Sequence, residues 1–486
     1  MTNEIVSSIK EILPAGIVLF NRNITSPNQC KYLIKELRSI LGYYLLFAVD
    51  HEGFPVNRFS FYSSFPSNRA LGASNNIQLA YSTGVYHGYE LKKLGVDINF
   101  SPVLDVVGTV FNPAITLRSI SHDPSVVNRF SQALIKGMNQ NGVCATIKHF
   151  PGIGFAPVDG HLTLPVVEIN KHIFMSQCNL FKSAIKDGIK LIMTSHIILT
   201  DHNEVKSDIV TFSKKFILKK LRKDLGYKGI ILTDDLEMGA LKYFGTIEEC
   251  ALKAIQAGHD AVLSCKDIHA SKKTHEVLLH SLQTGELDQN TFLESTGRID
   301  ALQNSCKQRA SLSPSIITNK QVLIRKIVNG SVSVTKDPNK ILPTKDPLIV
   351  FYPKLSSFYP HYLTIPDRFS FKKIFASMRK RYPVTSLSSC VYTKKTTHKK
   401  IVHFLKTVSA ESTILFFSYN AVSFPIQKQV IHLLKNNHLR TVFILMGDPI
   451  DVTLLPESST VITTYGALSS QIKRAIELVL TNKKHL

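Results

Sequence analysis

The sequence predicts an α/β protein, a (β/α)8 TIM-like barrel followed by a smaller αβα sandwich domain. Seven short apolar runs alternate with amphipathic helical stretches over about the first 265 residues, a pattern that implies parallel strands joined by right-handed crossovers. Polar or ionisable residues sit at the C-terminal ends of most of these runs, where barrel enzymes keep their chemistry. A second alternation begins near residue 346 and continues almost to the end of the chain.

The strand candidates are Ala15–Phe20, Tyr44–Asp50, Asp97–Val103, Cys144–Phe150, Leu191–His196, Gly229–Asp235 and Asp260–Cys265. Between them the 3.6-residue period marks helices at Asn28–Leu41, Ile77–Leu94, Ser125–Asn141, Phe174–Asp187, Lys214–Leu225 and Ile247–Ala257. A closed barrel needs eight strands, and the missing one should precede Ala15: either the barrel closes unusually, or a short N-terminal strand is absent or unrecognisable. Helical stretches from Thr274 to about Ser305 end the barrel, so residues 1–305 form the first domain. Residues 306–345, rich in Ser, Asn, Lys and Pro, read as a linker with one helical stretch near Lys320–Val328. Residues 346–486 form the second domain, with strands at Pro347–Tyr352, Thr413–Ser418, Thr441–Gly447 and Thr460–Thr464. Its helices are Phe371–Arg381, His398–Val408, Pro425–Asn436 and Leu468–Leu480, a doubly wound pattern.

Composition narrows the class. Apolar residues make up 44% and charged residues 19% of the 486, as in an ordinary globular protein. No apolar run is long enough to span a bilayer, and MTNEIVSSIKEIL lacks the basic-then-apolar order of a signal peptide. The 7 cysteines are scattered without a Cys-x-x-Cys pair, which argues against zinc or disulfide frameworks and for a reducing, cytoplasmic setting. No cofactor motif is present: neither Gly-x-Gly-x-x-Gly nor a Walker-type loop occurs. Of the net charge of +22, residues 311–486 hold 25 Lys and Arg against 8 Asp and Glu, a surplus of 17. Without zinc-finger spacing or RNA-binding aromatics, that basicity reads as a solvated surface rather than a nucleic-acid site.

Two places carry the candidate chemistry. The stretch KHFPGIGFAPVDGHLTLP, residues 148–165, leaves a predicted strand through a glycine-rich turn and sets Asp159 two residues before His161. A carboxylate beside an imidazole can orient and charge it, giving an acid–base group that titrates near neutrality. Asp234 ends the run GIILTD at another strand tip, where a carboxylate facing an acid–base group suits attack on an anomeric carbon. Asp235, Glu237 and Glu52 are rival carboxylates.

The ordered segments AGIVLFNRN, FAVDHEG, FSPVLDV, KHFPGIG, VDGH, MTSH and LTDDLEMGA, over about residues 15–300, resemble the bacterial β-N-acetylglucosaminidases of glycoside hydrolase family 3. The resemblance implies a retaining exo-enzyme with Asp234 as nucleophile, His161 as general acid–base and Asp159 as its dyad partner. It implies sugar binding by Asp50, Arg58, Arg118, Lys148 and His149, with neither metal nor cofactor. The implied substrate is an N-acetylglucosamine-terminated muropeptide of peptidoglycan recycling. The C-terminal domain resembles the sandwich that many family members append. His196 and Asp105 are read either as site groups or as braces of the barrel mouth.

The chain departs from the family at Phe54, where a glycine is usual, at Ile153 in place of a histidine, and at Gly160 in place of a serine; Gly160 should loosen a loop that must swing Asp159 and His161 into place. The family's first strand is also missing, in agreement with the count of seven. Phosphorolysis is the alternative reaction, since an imidazole acid–base does not repel phosphate. A catalytically reduced glycan-binding protein is the alternative class.

Overall fold

The computed structural model describes residues 2–108, 111–200, 208–308, 319–358, 370–381, 387–436 and 439–481. Part of the predicted linker, 309–318, lies outside the described residues. The chain divides into two compact units. The first comprises residues 1–52, 80–115 and 119–318; the second comprises 53–79, 116–118 and 319–486.

In the first unit seven parallel strands curl into one sheet: β1 (Gly16–Leu19), β2 (Leu46–Val49), β3 (Ile98–Asn99), β4 (Cys144–Phe150), β5 (Leu191–Thr194), β6 (Ile230–Asp235) and β7 (Ala261–Leu263). They neighbour one another in sequence order, as successive right-handed crossovers require. β1 and β7 form the two ends. Ahead of β1 stands a helix, α1 (Asn3–Ile12), not a strand. Further helices are α2 (Pro27–Leu41), α3 (Ile77–Leu94), α4 (Pro124–Gln140), α5 (Lys171–Lys186), the wide i→i+5 helix α6 (Lys215–Asp224), α7 (Ile247–Gln256), α8 (Ile268–Gln283) and α9 (Gln289–Gln308). Their starts are written locally. Ser26 and Asp123 cap α2 and α4, each followed by a proline at the first helical position, and Thr246 with Glu249 closes a capping box on α7.

The inner face of the sheet is apolar: Leu46, Ala48, Ile98, Phe100, Leu191, Met193, Ile230 and Leu232 pack with Leu302 and Cys306 of α9. The strands β2 to β5 are buried throughout, so their sequences read as continuous apolar runs rather than alternating ones.

The second unit carries a six-stranded sheet: β8 (Ser333–Lys336), β9 (Leu348–Pro353), β10 (Leu387–Tyr392), β11 (Thr413–Ser418), β12 (Thr441–Leu445) and β13 (Thr460–Thr463). Their order is β8-β13-β12-β11-β9-β10, with β8 antiparallel and the rest parallel. The reversal between β9 and β11 is the doubly wound topology expected from the sequence. Helices α10 (Lys320–Ser331), α11 (Phe371–Arg381), α12 (His398–Leu405), α13 (Pro425–Asn436) and α14 (Ser469–Leu480) complete it.

Two features differ from the sequence reading. The expected linker 306–345 supplies α10 and β8 to the second unit, where Leu323, Ile324, Ile327 and Val328 are buried. The segments 53–79 and 116–118 also group there: Ser67 Oγ donates to the Tyr465 carbonyl at 2.5 Å and Asn68 Nδ2 to the Arg118 carbonyl at 2.9 Å. β8 and β10 escaped the sequence reading because they are the sheet's edge strands, and β8 is largely exposed.

Candidate active site

The C-terminal tips of β2, β4 and β6 deliver the charged groups. Asp50 follows β2 directly, and Glu52 lies two residues on, so the period of an extended chain turns both carboxylates the same way. Lys148 of β4 meets them, with Nζ 2.7 Å from Asp50 Oδ1 and 2.8 Å from Glu52 Oε1. Lys148 is 1% exposed, so this is a charge removed from water and balanced by two carboxylates. Glu52 is therefore a partner that the sequence reading left among the rival carboxylates, although its spacing from Asp50 carried the signal.

His149 points to a different carboxylate. Its Nδ1–H donates to Asp105 Oδ2 at 2.7 Å, and its Nε2 faces Asp234 Oδ2 at 4.0 Å. Asp105 is fully buried, and its other oxygen accepts the Ile153 N–H at 2.8 Å. One carboxylate thus fixes both the tautomer of His149 and the start of the glycine loop. Ile153, the departure from the family histidine, packs on Val107, Ala114 and Ile115. A Cβ at Gly154 would come within 1.8 Å of the Val106 carbonyl oxygen, so the loop's close approach requires glycine there.

Asp234 lies at the end of β6. Burial pushes its carboxyl up, but the imidazoles of His149, His196 and His161 outweigh that and hold its pKa below the ordinary carboxylate value. Asp235 is different: burial raises it to about 6, and its Oδ1 accepts the backbone N–H groups of Glu237 and Cys265. His196 is buried and its pKa is lowered by that burial against the pull of Asp234. It bridges Thr211 Oγ1, 2.6 Å from Nδ1, and the Asp235 carbonyl, 3.1 Å from Nε2. Thr211 was not singled out in the sequence; no local motif marks it.

Asp159 and His161 sit in the loop after β4. Asp159 is buried, and its Oδ1 accepts both the His161 Nδ1–H at 2.8 Å and the His161 backbone N–H at 2.9 Å. The imidazole itself is about one-third exposed. Gly239 N–H donates to the His161 carbonyl and Ala240 N–H to the Gly160 carbonyl, while Leu162 and Thr163 N–H groups return to Asp159. The loop is fastened to the turn that follows β6, and Gly160 does not occupy a positive-φ conformation.

Six of the eight predicted site residues, Asp50, Lys148, His149, Asp159, His161 and Asp234, thus belong to the first unit. Arg58 and Arg118 belong to the second. Among the described residues no group of three or more His, Cys, Asp and Glu side chains is arranged to hold a metal ion.

Residues 1–302 match the Glycosyl hydrolase family 3 N terminal domain. The chain belongs to glycosyl hydrolase family 3. As a family 3 enzyme it is a glycoside hydrolase. It is 35% identical over 274 residues to a Beta-hexosaminidase of Methylobacillus flagellatus, covering 54% of this chain and 77% of that protein. It is 36% identical over 275 residues to a Beta-hexosaminidase of Psychromonas ingrahamii, covering 54% and 80%. A glycoside hydrolase family 3 beta-N-acetylglucosaminidase from Paenibacillus sp. str. FPU-7 has a similar structure, with a TM-score of 0.88, 27% identity, and coverage of 99% of this chain and 93% of that one.

Proposed function

We propose that this family 3 hydrolase is a retaining β-N-acetylhexosaminidase that removes terminal N-acetylglucosamine from peptidoglycan fragments in the cytoplasm. Asp234 attacks the anomeric carbon and forms the covalent glycosyl-enzyme. His161, polarised by Asp159, gives its proton to the leaving oxygen and then takes one from water. Asp50, Lys148 and His149 hold sugar hydroxyls, and Arg58 and Arg118 are assigned to the same task by family resemblance. Donors and carboxylates on vicinal hydroxyls strengthen as the oxocarbenium ion develops.

The observation that carries the proposal is the Asp159–His161 pair. A buried carboxylate grips an imidazole about one-third exposed, on a loop fastened to the turn just beyond the strand that carries Asp234. Although burial pushes the Asp234 carboxyl up, the neighbouring imidazoles hold it below the ordinary carboxylate value, a direction that favours the ionised form a nucleophile needs.

The test is turnover of a chromogenic N-acetyl-β-glucosaminide and of a muropeptide, with products identified by mass and by anomeric NMR. Asp234→Asn should lower kcat at least about 10³-fold, with the wild-type product retaining its β-configuration. Because Asp234 titrates below the ordinary carboxylate value, the acid limb of kcat/KM should also fall below that value. An unchanged rate in Asp234→Asn, or inversion, would remove the nucleophile. Sugar 1-phosphate as the main product in phosphate buffer would replace hydrolysis by phosphorolysis.

A further inference from the structure

Charge in the second unit is sorted along its strands. Residues 368–410, which include α11, β10 and α12, hold 11 Lys and Arg and no Asp or Glu. At the C-terminal tips of the parallel strands, Lys354 follows β9, and Lys394 and Lys395 follow β10; all three are exposed. The Lys354 N–H donates to the Tyr392 carbonyl at 2.8 Å, which holds those two tips side by side. Exposed Lys372 and Lys373 lie in the first turn of α11, and exposed Lys399 and Lys400 in that of α12. A crossover helix starts at the tip where its strand ends, so these four join the same end of the sheet. Right-handed crossovers lead outward from β9 to the edge strand β10 and back from β10 to β11, which puts α11 and α12 on opposite faces. Accordingly α11 packs on α14 and α12 on α13. The lysines surround one end of the sheet's edge from both faces.

The carboxylates are sorted the other way. Asp448 and Asp451, near the tip of β12, are buried. Asp337, Asp346, Glu411 and Glu457 flank the opposite ends of the strands, and Glu477 lies in the last turn of α14. Among the described residues of the second unit, no carboxylate stands exposed at the lysine-rich end.

The side chains also select the partner. These cations are lysines, hydrated point charges without the planar arginine fork that grips phosphates and stacks on bases. Among the described residues of the second unit no aromatic or leucine side chain is exposed, either to stack a base or to enter a lipid headgroup layer. Such a surface fits a hydrated chain with negative charges spaced along it. For a glycoside hydrolase, chains of that kind are acidic glycans.

We propose that this end of the second unit is a docking surface for an anionic polysaccharide, one that carries carboxylate or sulfate groups along its sugar chain. The lysines hold the polymer by charge and take no part in cleavage.

The experiment measures binding of a labelled heparin oligosaccharide to the full chain by fluorescence anisotropy at moderate salt. One variant carries Lys395→Glu, Lys399→Glu and Lys400→Glu. A second carries the same change of charge away from the patch, as Arg325→Glu, Lys326→Glu and Lys345→Glu, three residues that are also exposed. The first variant should lose affinity at least about tenfold and the second should stay within about threefold of wild type, because charges more than about 10 Å from the polymer are screened. Turnover of a small neutral glycoside should be unchanged in both, which also shows that both are folded. Equal losses in the two variants would reduce the effect to net charge and overturn the proposal. So would the absence of heparin binding by wild type. Binding as tight to single-stranded DNA of matched charge, or to vesicles of equal parts phosphatidylglycerol and phosphatidylcholine, would overturn the assignment to a glycan.

Discussion

At the scale of single residues, the site is built by giving its ionisable groups partners that fix their orientation. Asp105 holds His149, Asp159 holds His161, and three imidazoles hold Asp234. A further buried histidine makes a stability prediction. His259 donates from Nδ1 to the Ala254 carbonyl and accepts the Thr194 hydroxyl at Nε2, and burial lowers its pKa to about 4. A histidine depressed in the folded state is protonated earlier in the unfolded chain. Its contribution is therefore complete above the unfolded pKa near 6.5 and is lost as pH falls from there towards 4. The loss amounts to about 3 kcal/mol at 1.36 kcal/mol per unit. Urea unfolding at pH 7 and pH 4.5 should show this fall, and His259→Gln should flatten the slope between the two pH values whatever its absolute stability. His196, also lowered by burial, adds to the fall in the same direction.

At the scale of elements, close approach decides where glycine is obligatory. A Cβ on Gly84 of α3 would lie 2.2 Å from the Leu134 carbonyl oxygen of α4, and one on Gly137 of α4 would lie 2.3 Å from the Tyr81 carbonyl oxygen. The two helices touch backbone to backbone. Gly137→Ala should therefore destabilise the fold by about 2 kcal/mol, within the range for overpacking, despite alanine's better helix propensity. The same reasoning applies to the glycine loop. Gly154→Ala must push Val106 aside and so shift Ile153, whose N–H anchors on Asp105. Its melting temperature should fall by several degrees, and kcat should fall with it as Asp105 loses its hold on His149. A Gly154→Ala enzyme with wild-type kcat would disconnect that loop from the site.

The element boundaries show what the sequence made legible. β4 and α3 match their expected limits, and every strand of the first sheet lies within its predicted run. Capping residues and continuous apolar runs are local signals, which is why they could be read. β8 and β10 are edge strands with little apolar signal, and they were missed.

At the scale of the whole molecule, charge is divided unevenly. Residues 311–486 carry 17 of the 22 net positive charges. In the second unit Lys395, Lys399 and Lys400 are exposed. Changing these three to Glu moves the net charge by six and should weaken retention on a sulfated polysaccharide column, with elution at clearly lower salt. Turnover of a small neutral glycoside should stay within about twofold of wild type. A matching loss of turnover would tie the basic surface to catalysis itself.

The sequence by itself determined the alternation of strand and helix, the family, and which side chains could do chemistry at strand tips. Those depend on neighbours in the chain: side-chain period, caps, and motifs such as Asp-x-His. Only the tertiary structure decided that Lys148 is balanced by Asp50 and Glu52 together and that Asp105 serves His149 and the glycine loop at once. It also decided that residues 53–79 and 116–118 group with the second unit, and that β1 and β7 stand at the two ends of the first sheet. These are contacts between groups far apart in the chain, set by how the elements pack, and no local pattern records them.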